Sequence, residues 1–260
     1  MSTADESLVR SEPPLWEVPG WRERFGITAG ITGRSDTSGG SFDLGLWTRE
    51  PVGEVMARWR RIRDAFPEFR GETMAHQVHG TRVLWHPDPG TGWTIHDGAD
   101  GHVASVPGHL LLITVADCIP VYLAAPGKGV IGLLHAGWRG VASGILERGL
   151  QVMHEVGMID PASVVMHCGV GICGECYEVG HEVVEALGLT VRNGGRPHAD
   201  LRAALARQAR ELGVREVSLS GHCTAHERGN FFSHRASGGA DGRMVAWIGL
   251  LPGHGAAATV

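Results

Sequence analysis

The sequence predicts an α+β protein of one domain, with strands and helices interleaved along the chain. Three observations carry that expectation. Segments with 3–4 spacing of apolar residues alternate with short apolar or alternating runs. No internal repeat and no low-complexity linker divides the chain. The 260 residues are enough to bury about 70–75% of the unfolded surface around one large core, and 43% hydrophobic with 20% charged residues is the balance of a folded chain rather than a disordered one.

Taken in order, residues 1–20 are polar and carry Pro13, Pro14 and Pro19, which reads as an N-terminal arm ahead of a domain at 21–252. Trp21 to Trp47 is rich in Gly, Ser and Thr and reads as short strands and turns. Pro51 to Phe66 reads as a helix, because Val55, Trp59, Ile62 and Phe66 share one face and the arginines take the other. Thr73 to His86 alternates and reads as a strand, closed by a turn at Pro87–Gly92. Leu110 to Leu123 is an apolar strand interrupted by Ala116-Asp117-Cys118, and Gly129 to His135 is a second buried strand. Ala142 to Val156 reads as a helix, Ala162 to Gly169 as a strand and Tyr177 to Leu187 as a helix. Asp200 to Leu212 reads as a helix with Ala and Leu on one face, followed by strands at Val214–Ser220 and Arg243–Leu251. Residues 253–260 are Gly/Ala-rich and read as a flexible tail.

Composition excludes several classes of function. The 23 Lys and Arg against 28 Asp and Glu leave a net charge of −5, which excludes a polycationic binder of nucleic acid or membrane surfaces. The longest apolar run, His109 to Ala125, is too short and too broken by Asp117 to span a bilayer. Met1 to Glu17 carries Asp5, Glu6 and Glu12 and has no apolar core of a secretory signal, so the expected compartment is the cytoplasm. Five widely spaced Cys, an odd count, fit free thiols or metal ligands better than a disulfide frame.

Three short segments carry the candidate chemistry, each at a strand end and two of them containing glycine. They are His76-Gln77-Val78-His79-Gly80, Ala116-Asp117-Cys118-Ile119-Pro120 and His135-Ala136-Gly137-Trp138-Arg139-Gly140. Two imidazoles and one thiolate form a donor set for Zn²⁺ that leaves a fourth tetrahedral position open. His79 is preferred to His76 because positions i and i+3 on a strand face opposite ways and Gly80 admits close approach. The same residues also read as a nucleophile pair, with Cys118 attacking and His135 its base. Cys173-Gly174-Glu175-Cys176 has the spacing of a thiol–disulfide exchanger, and together with Cys168 it also offers three zinc ligands.

The QVHG of residues 77–80, ADCIPV of 116–121, HAGWRG of 135–140, CYEVG of 176–180, CT of 223–224, FFSHR of 231–235 and GR of 242–243 run collinearly between about Gly26 and Leu251. In that order they resemble the YfiH-type laccase-domain family, also called the multicopper polyphenol oxidoreductase or peptidoglycan-editing-factor family. The resemblance implies a layered α/β/β/α arrangement of mixed sheets flanked by helices. It implies zinc held by His79, Cys118 and His135. It implies phosphorolysis of purine nucleosides (adenosine, inosine, guanosine, methylthioadenosine) to base and ribose 1-phosphate, together with adenosine deamination. Copper-dependent polyphenol oxidation and the editing of a cell-wall precursor are activities attributed to other members, and copper is the alternative metal.

The residues themselves favour phosphorolysis over oxidation. None of the 15 His stands in a His-x-His pair, the unit from which multicopper sites are built, and a single Cys/His₂ set needs a redox partner to reduce oxygen. Phosphate calls for guanidinium forks. Arg139, Arg235 and Arg243 are the candidates, with Gln77 and Asp43 as further substrate contacts. Asp117 is the candidate general acid for the leaving purine, although strand alternation would turn it away from Cys118. Two positions depart from the family pattern. Asp43 stands where Asn is usual in the segment Ser41-Phe42-Asp43-Leu44-Gly45, and His234-Arg235-Ala236 has one Arg where two are common.

Overall fold

The computed structural model describes residues 2–35, 39–48, 50–189 and 196–253. The chain begins with β1 (Ser2–Thr3), β2 (Ser7–Ser11) and β3 (Pro14–Glu17), then α1 (Trp21–Phe25) and β4 (Ile27–Thr32). Next come α2 (Val52–Ala65), β5 (Gly71–His76), β6 (Val83–His86), β7 (Gly92–Asp97) and β8 (Gly101–Ala104). The centre of the chain supplies β9 (His109–Val115), β10 (Ile119–Ala125), β11 (Val130–Ala136), α3 (Trp138–Ala142), α4 (Ile145–Gly157) and β12 (Val165–Cys168). It ends with α5 (His181–Ala186), α6 (Leu201–Glu211), β13 (Glu216–Leu219) and β14 (Met244–Leu250).

The strands form two mixed sheets. One has the order β1-β13-β12-β10-β11-β8-β6 and the other β2-β3-β4-β14-β9-β5-β7. Ile31, Ile113, Ala246 and Ile248 of the second sheet meet Tyr122, Ile131 and Leu133 of the first, which makes the layer between sheets. The outer face of the first sheet is covered by α3 to α6, where Ile145, Leu146, Leu150, Leu201 and Leu205 pack on Val121, Leu123 and Leu134. The outer face of the second sheet takes α2, whose Val55, Trp59 and Ile62 lie against Leu110, Leu112 and Trp247. The result is the α/β/β/α sandwich that the family resemblance implies. Both central strands, β10 and β11, are buried on both faces, as a sheet covered on each side requires.

Three expectations are corrected here. The segment expected as an arm at 1–20 is, over its described residues 2–20, no detached arm: β1 adds to the edge of one sheet and β2–β3 to the edge of the other. Glu6, Leu15 and Val18 are buried. Short edge strands whose side chains are all exposed, such as β2 with its adjacent Leu8 and Val9, carry no apolar alternation to read. The expected strand Thr73–His86 divides into β5 and β6, which lie in different sheets. The apolar run Leu110–Leu123 likewise divides into β9 of one sheet and β10 of the other, so residues 116–118 form a crossover rather than a kink in one strand. The predicted tail lies, from residue 254 on, outside the described residues.

Candidate active site

That crossover is where the site forms. The end of β5 runs into residues 77–80, the end of β11 delivers His135, and Cys118 stands at the entry to β10. Donor atoms of His79, Cys118 and His135 all lie within 4.8 Å of one another. The His79 and His135 rings meet edge-on at 4.9 Å and 74°. His76 stays outside the group. It is exposed, packs its ring 4.6 Å from Trp47 and faces Asp97.

Two of these positions hold unusual backbone. His79 has φ 59° and Asp117 φ 81°, left-handed conformations that cost non-glycine residues energy and persist only where neighbours enforce them. At His79 the enforcing group is Asp100. Its carboxylate accepts the backbone N–H groups of Val78 (3.2 Å), His79 (2.9 Å) and Gly80 (2.7 Å), and also faces His135 Nδ1 at 2.9 Å. One buried carboxylate therefore folds the loop that presents His79 and orients the ring of His135. A histidine oriented in this way through one nitrogen presents the other to a ligand. No local signal marks Asp100 in the sequence, because its partners lie 20 to 35 residues away.

At Asp117 the enforcing groups are the Thr224 hydroxyl, which donates to Oδ1 at 2.6 Å, and the Arg235 backbone N–H, which donates to Oδ2 at 2.6 Å. The left-handed turn is what brings Asp117 and Cys118 to the same cavity, against the alternation expected of a continuous strand.

Electrostatics follow the geometry. Burial alone would push the Cys118 thiol up, but the charge and hydrogen bonding of His135, with His79 behind it, bring it down to about 6. Burial likewise opposes a charged His135, yet the Cys118 thiolate and the Asp100 carboxylate raise it to about 9. Burial also works against an ionised Asp100, and its hydrogen bonds from His135 and Gly80 overcome this and lower its pKa. A thiolate and two imidazoles fit a borderline-soft divalent ion. Gly137 leaves them room, since a Cβ there would sit 3.0 Å from His79 Cδ2 and 3.1 Å from Cys118 Sγ.

These residues line a cavity of about 460 Å³. Arg139, Arg235 and Arg243 all stand on its wall, as do Tyr177, Trp47 and His234, which the sequence reading did not single out. Arg139 stacks over Trp138 and Arg235 over Tyr177. Two expected contacts are relocated. Asp43 is buried behind the wall, where its carboxylate accepts Gly45 N and Arg243 N at 2.8 and 2.7 Å. It shapes the loop rather than touching the cavity. Gln77 lines the cavity, but its amide is engaged with Thr114: Nε2 donates to the carbonyl, and Oε1 accepts the backbone N–H and the hydroxyl. That amide splices the 77–80 loop to the end of β9.

Residues 24–251 match the family described as multi-copper polyphenol oxidoreductase laccase, and the chain belongs to that family. Among curated relatives, it is 40% identical over 181 residues to the purine nucleoside phosphorylase of Deinococcus radiodurans, covering 67% of this chain and 68% of that one. It is 34% identical over 248 residues to the purine nucleoside phosphorylase YlmD of Geobacillus stearothermophilus, covering 86% and 90%. The crystal structure of that YlmD superposes with a TM-score of 0.84 at 29% identity over 96% of this chain and 99% of the other. That of the Bacillus licheniformis hypothetical protein YfiH gives 0.84 at 26% identity over 94% and 98%. No described helix is long and apolar enough to cross a membrane.

Proposed function

We propose that this chain is a zinc-dependent purine nucleoside phosphorylase. The observation that carries the reading is that three arginines, Arg139, Arg235 and Arg243, line the same cavity as His79, Cys118 and His135. Zinc held by those three residues would supply Lewis-acid polarisation of an oxygen. The arginines bind and orient phosphate through charge-assisted hydrogen bonds. Phosphate oxygen then forms a bond to the sugar C1′, the glycosidic C–N bond breaks, and the purine leaves with the proton that the hydrogen phosphate gives up on becoming ribose 1-phosphate. Tyr177 and Trp47 offer aromatic faces to the base. Asp117, with an acceptor contact on each oxygen, positions Cys118 and the backbone of Arg235 rather than standing free as the general acid. Adenosine deamination, if carried by the same pocket, does so without the H-x-E…P-C-x-x-C signature of zinc deaminases.

The test is incubation of metal-loaded protein with inosine and adenosine, with and without phosphate. Phosphate-dependent release of base with ribose 1-phosphate is expected. Release independent of phosphate, or none, refutes the reading. A second reading rests on one specific observation: Cys118, His135 and Asp100 also form a thiolate–imidazolium–carboxylate relay suited to acyl transfer. Such a hydrolase would work after metal stripping, whereas the phosphorylase would lose activity.

A further inference from the structure

We infer that Cys173, Cys176, Cys223 and His226 form a second, structural zinc site, separate from the one around Cys118. This goes beyond the proposed reaction and does not rest on it. One donor atom from each of the four residues lies within 4.8 Å of all the others. Cys176 Sγ is 3.1 Å from His226 Nε2, and Cys173 Sγ is 4.0 Å from His226 Nδ1. Tetrahedral zinc with Zn–S of about 2.3 Å and Zn–N of about 2.0 Å places neighbouring donors about 3.5–3.8 Å apart. Only one nitrogen of His226 can bind a single ion, and with one donor atom per residue the four lie within 4.8 Å of one another, about 1 Å wider than a loaded site.

The backbone supports the same assignment. Both pairs have x₂ spacing, Cys173-x-x-Cys176 and Cys223-x-x-His226, and each sits on a tight turn. The turns are closed by Cys176 N and Tyr177 N donating to Cys173 O, and by Glu227 N donating to Cys223 O. The Cys223 sulfur receives the N–H of Cys173 at 3.4 Å, and those of Ala225 and His226 are also directed to it. Amide N–H groups aimed at sulfur stabilise a coordinating thiolate. A bridge between Gly171 and Cys223 sets the two turns side by side. Cys168, which the spacing alone would have grouped with Cys173 and Cys176, is instead buried in β12, where burial raises its thiol, and it is not part of the group.

Four protein donors complete a tetrahedron, which is the closed coordination of a structural ion rather than a catalytic one. Its position gives it a task. Tyr177 follows Cys176 directly and carries the stacked Arg235, and Thr224 follows Cys223 directly and holds Asp117. The ion ties together the two turns that brace the wall of the cavity.

The test is zinc content of the purified full-length chain after loading under reducing conditions and exhaustive dialysis. Cys118→Ala retains about one zinc per chain, and adding Cys223→Ser to it removes that ion. His226→Cys in the Cys118→Ala background keeps the ion, while His226→Ala loses it, so loss of ligand is separable from loss of fold. Cobalt in Cys118→Ala shows the intense visible bands of tetrahedral thiolate coordination, shifted by His226→Cys. The inference is overturned if Cys118→Ala binds neither zinc nor cobalt. It is overturned equally if non-reducing mass spectrometry of the metal-loaded protein finds any two of Cys173, Cys176 and Cys223 joined as a disulfide. Whether nucleosides are cleaved does not enter either outcome.

Discussion

Replacing Asp100 by Asn is the sharpest probe of how the Cys118 site is held. The carboxylate serves four donors: Oδ1 faces His135 Nδ1 and His79 N, and Oδ2 takes Val78 N and Gly80 N. An amide keeps one oxygen and puts an NH₂ group where the other oxygen was, so two of the four donors lose their acceptor and meet another donor. An unsatisfied buried donor costs about 1–3 kcal/mol. The 77–80 loop is partly open to water, so the lower end applies, at roughly 2–3 kcal/mol for the pair. In a domain of this size that lowers Tm by roughly 4–12 °C. Zinc affinity falls as well, by about 10–100-fold, because His135 loses its orienting charge or His79 loses its enforced loop. Competition with a chelating indicator measures the affinity and calorimetry the Tm. Wild-type zinc affinity together with a Tm change below about 1 °C would refute the claim that one carboxylate builds this site.

Three further outcomes are expected. In metal-stripped protein, Cys118 alkylates at a rate that is already near its plateau at pH 7 and falls as pH drops through about 6. Zinc loading protects it, and a rate that still climbs through pH 8–9 as for an ordinary thiol would contradict the geometry. Glu6 is raised by burial, but the hydrogen bond and charge of His167 and the Ser220 hydroxyl outweigh this and lower its pKa. Its contribution is therefore present above the ordinary carboxyl range and lost as pH falls through the folded value. Glu6→Gln should cost about 1–3 kcal/mol at pH 7 and progressively less below pH 4.5 in urea melts, and a constant gap would refute it. His86 and His109 are held down to about 4, chiefly by burial, so the unfolded chain binds more protons than the folded one between pH 4 and 6.5. Stability should therefore decline as pH falls across that window, before Glu6 titrates, and a flat urea midpoint from pH 6.5 to 5 would exclude it.

How much of this was legible in the sequence depended on how far away each residue's partners lie. α2 was legible because Val55, Trp59 and Ile62 all face one sheet. His79, Cys118 and His135 were legible because each sits in a short motif, two of them with a glycine within two residues. α4 was legible as a helix but not at its start, where Gly144 at φ 87° separates it from α3. The β9–β10 crossover was hidden because strands buried on both faces leave no alternation to show where one ends. That single omission misdirected Asp117, whose left-handed turn reverses the facing that a continuous strand would impose. Its holders Thr224 and Arg235 lie 107 and 118 residues away, and the Cys173–His226 contact spans 53. The same reach explains why the motifs around Cys176, Cys223 and Arg235 occur together although none of them supplies a ligand to the Cys118 group. They are the outer supports of one cavity, fastened to one another across the fold. Displacing the loops that carry Tyr177 and Thr224 would disturb the Cys173–Cys176–Cys223–His226 group and the Asp117 hydrogen bonds. The precision of the site therefore resides as much in those contacts as in its three donors.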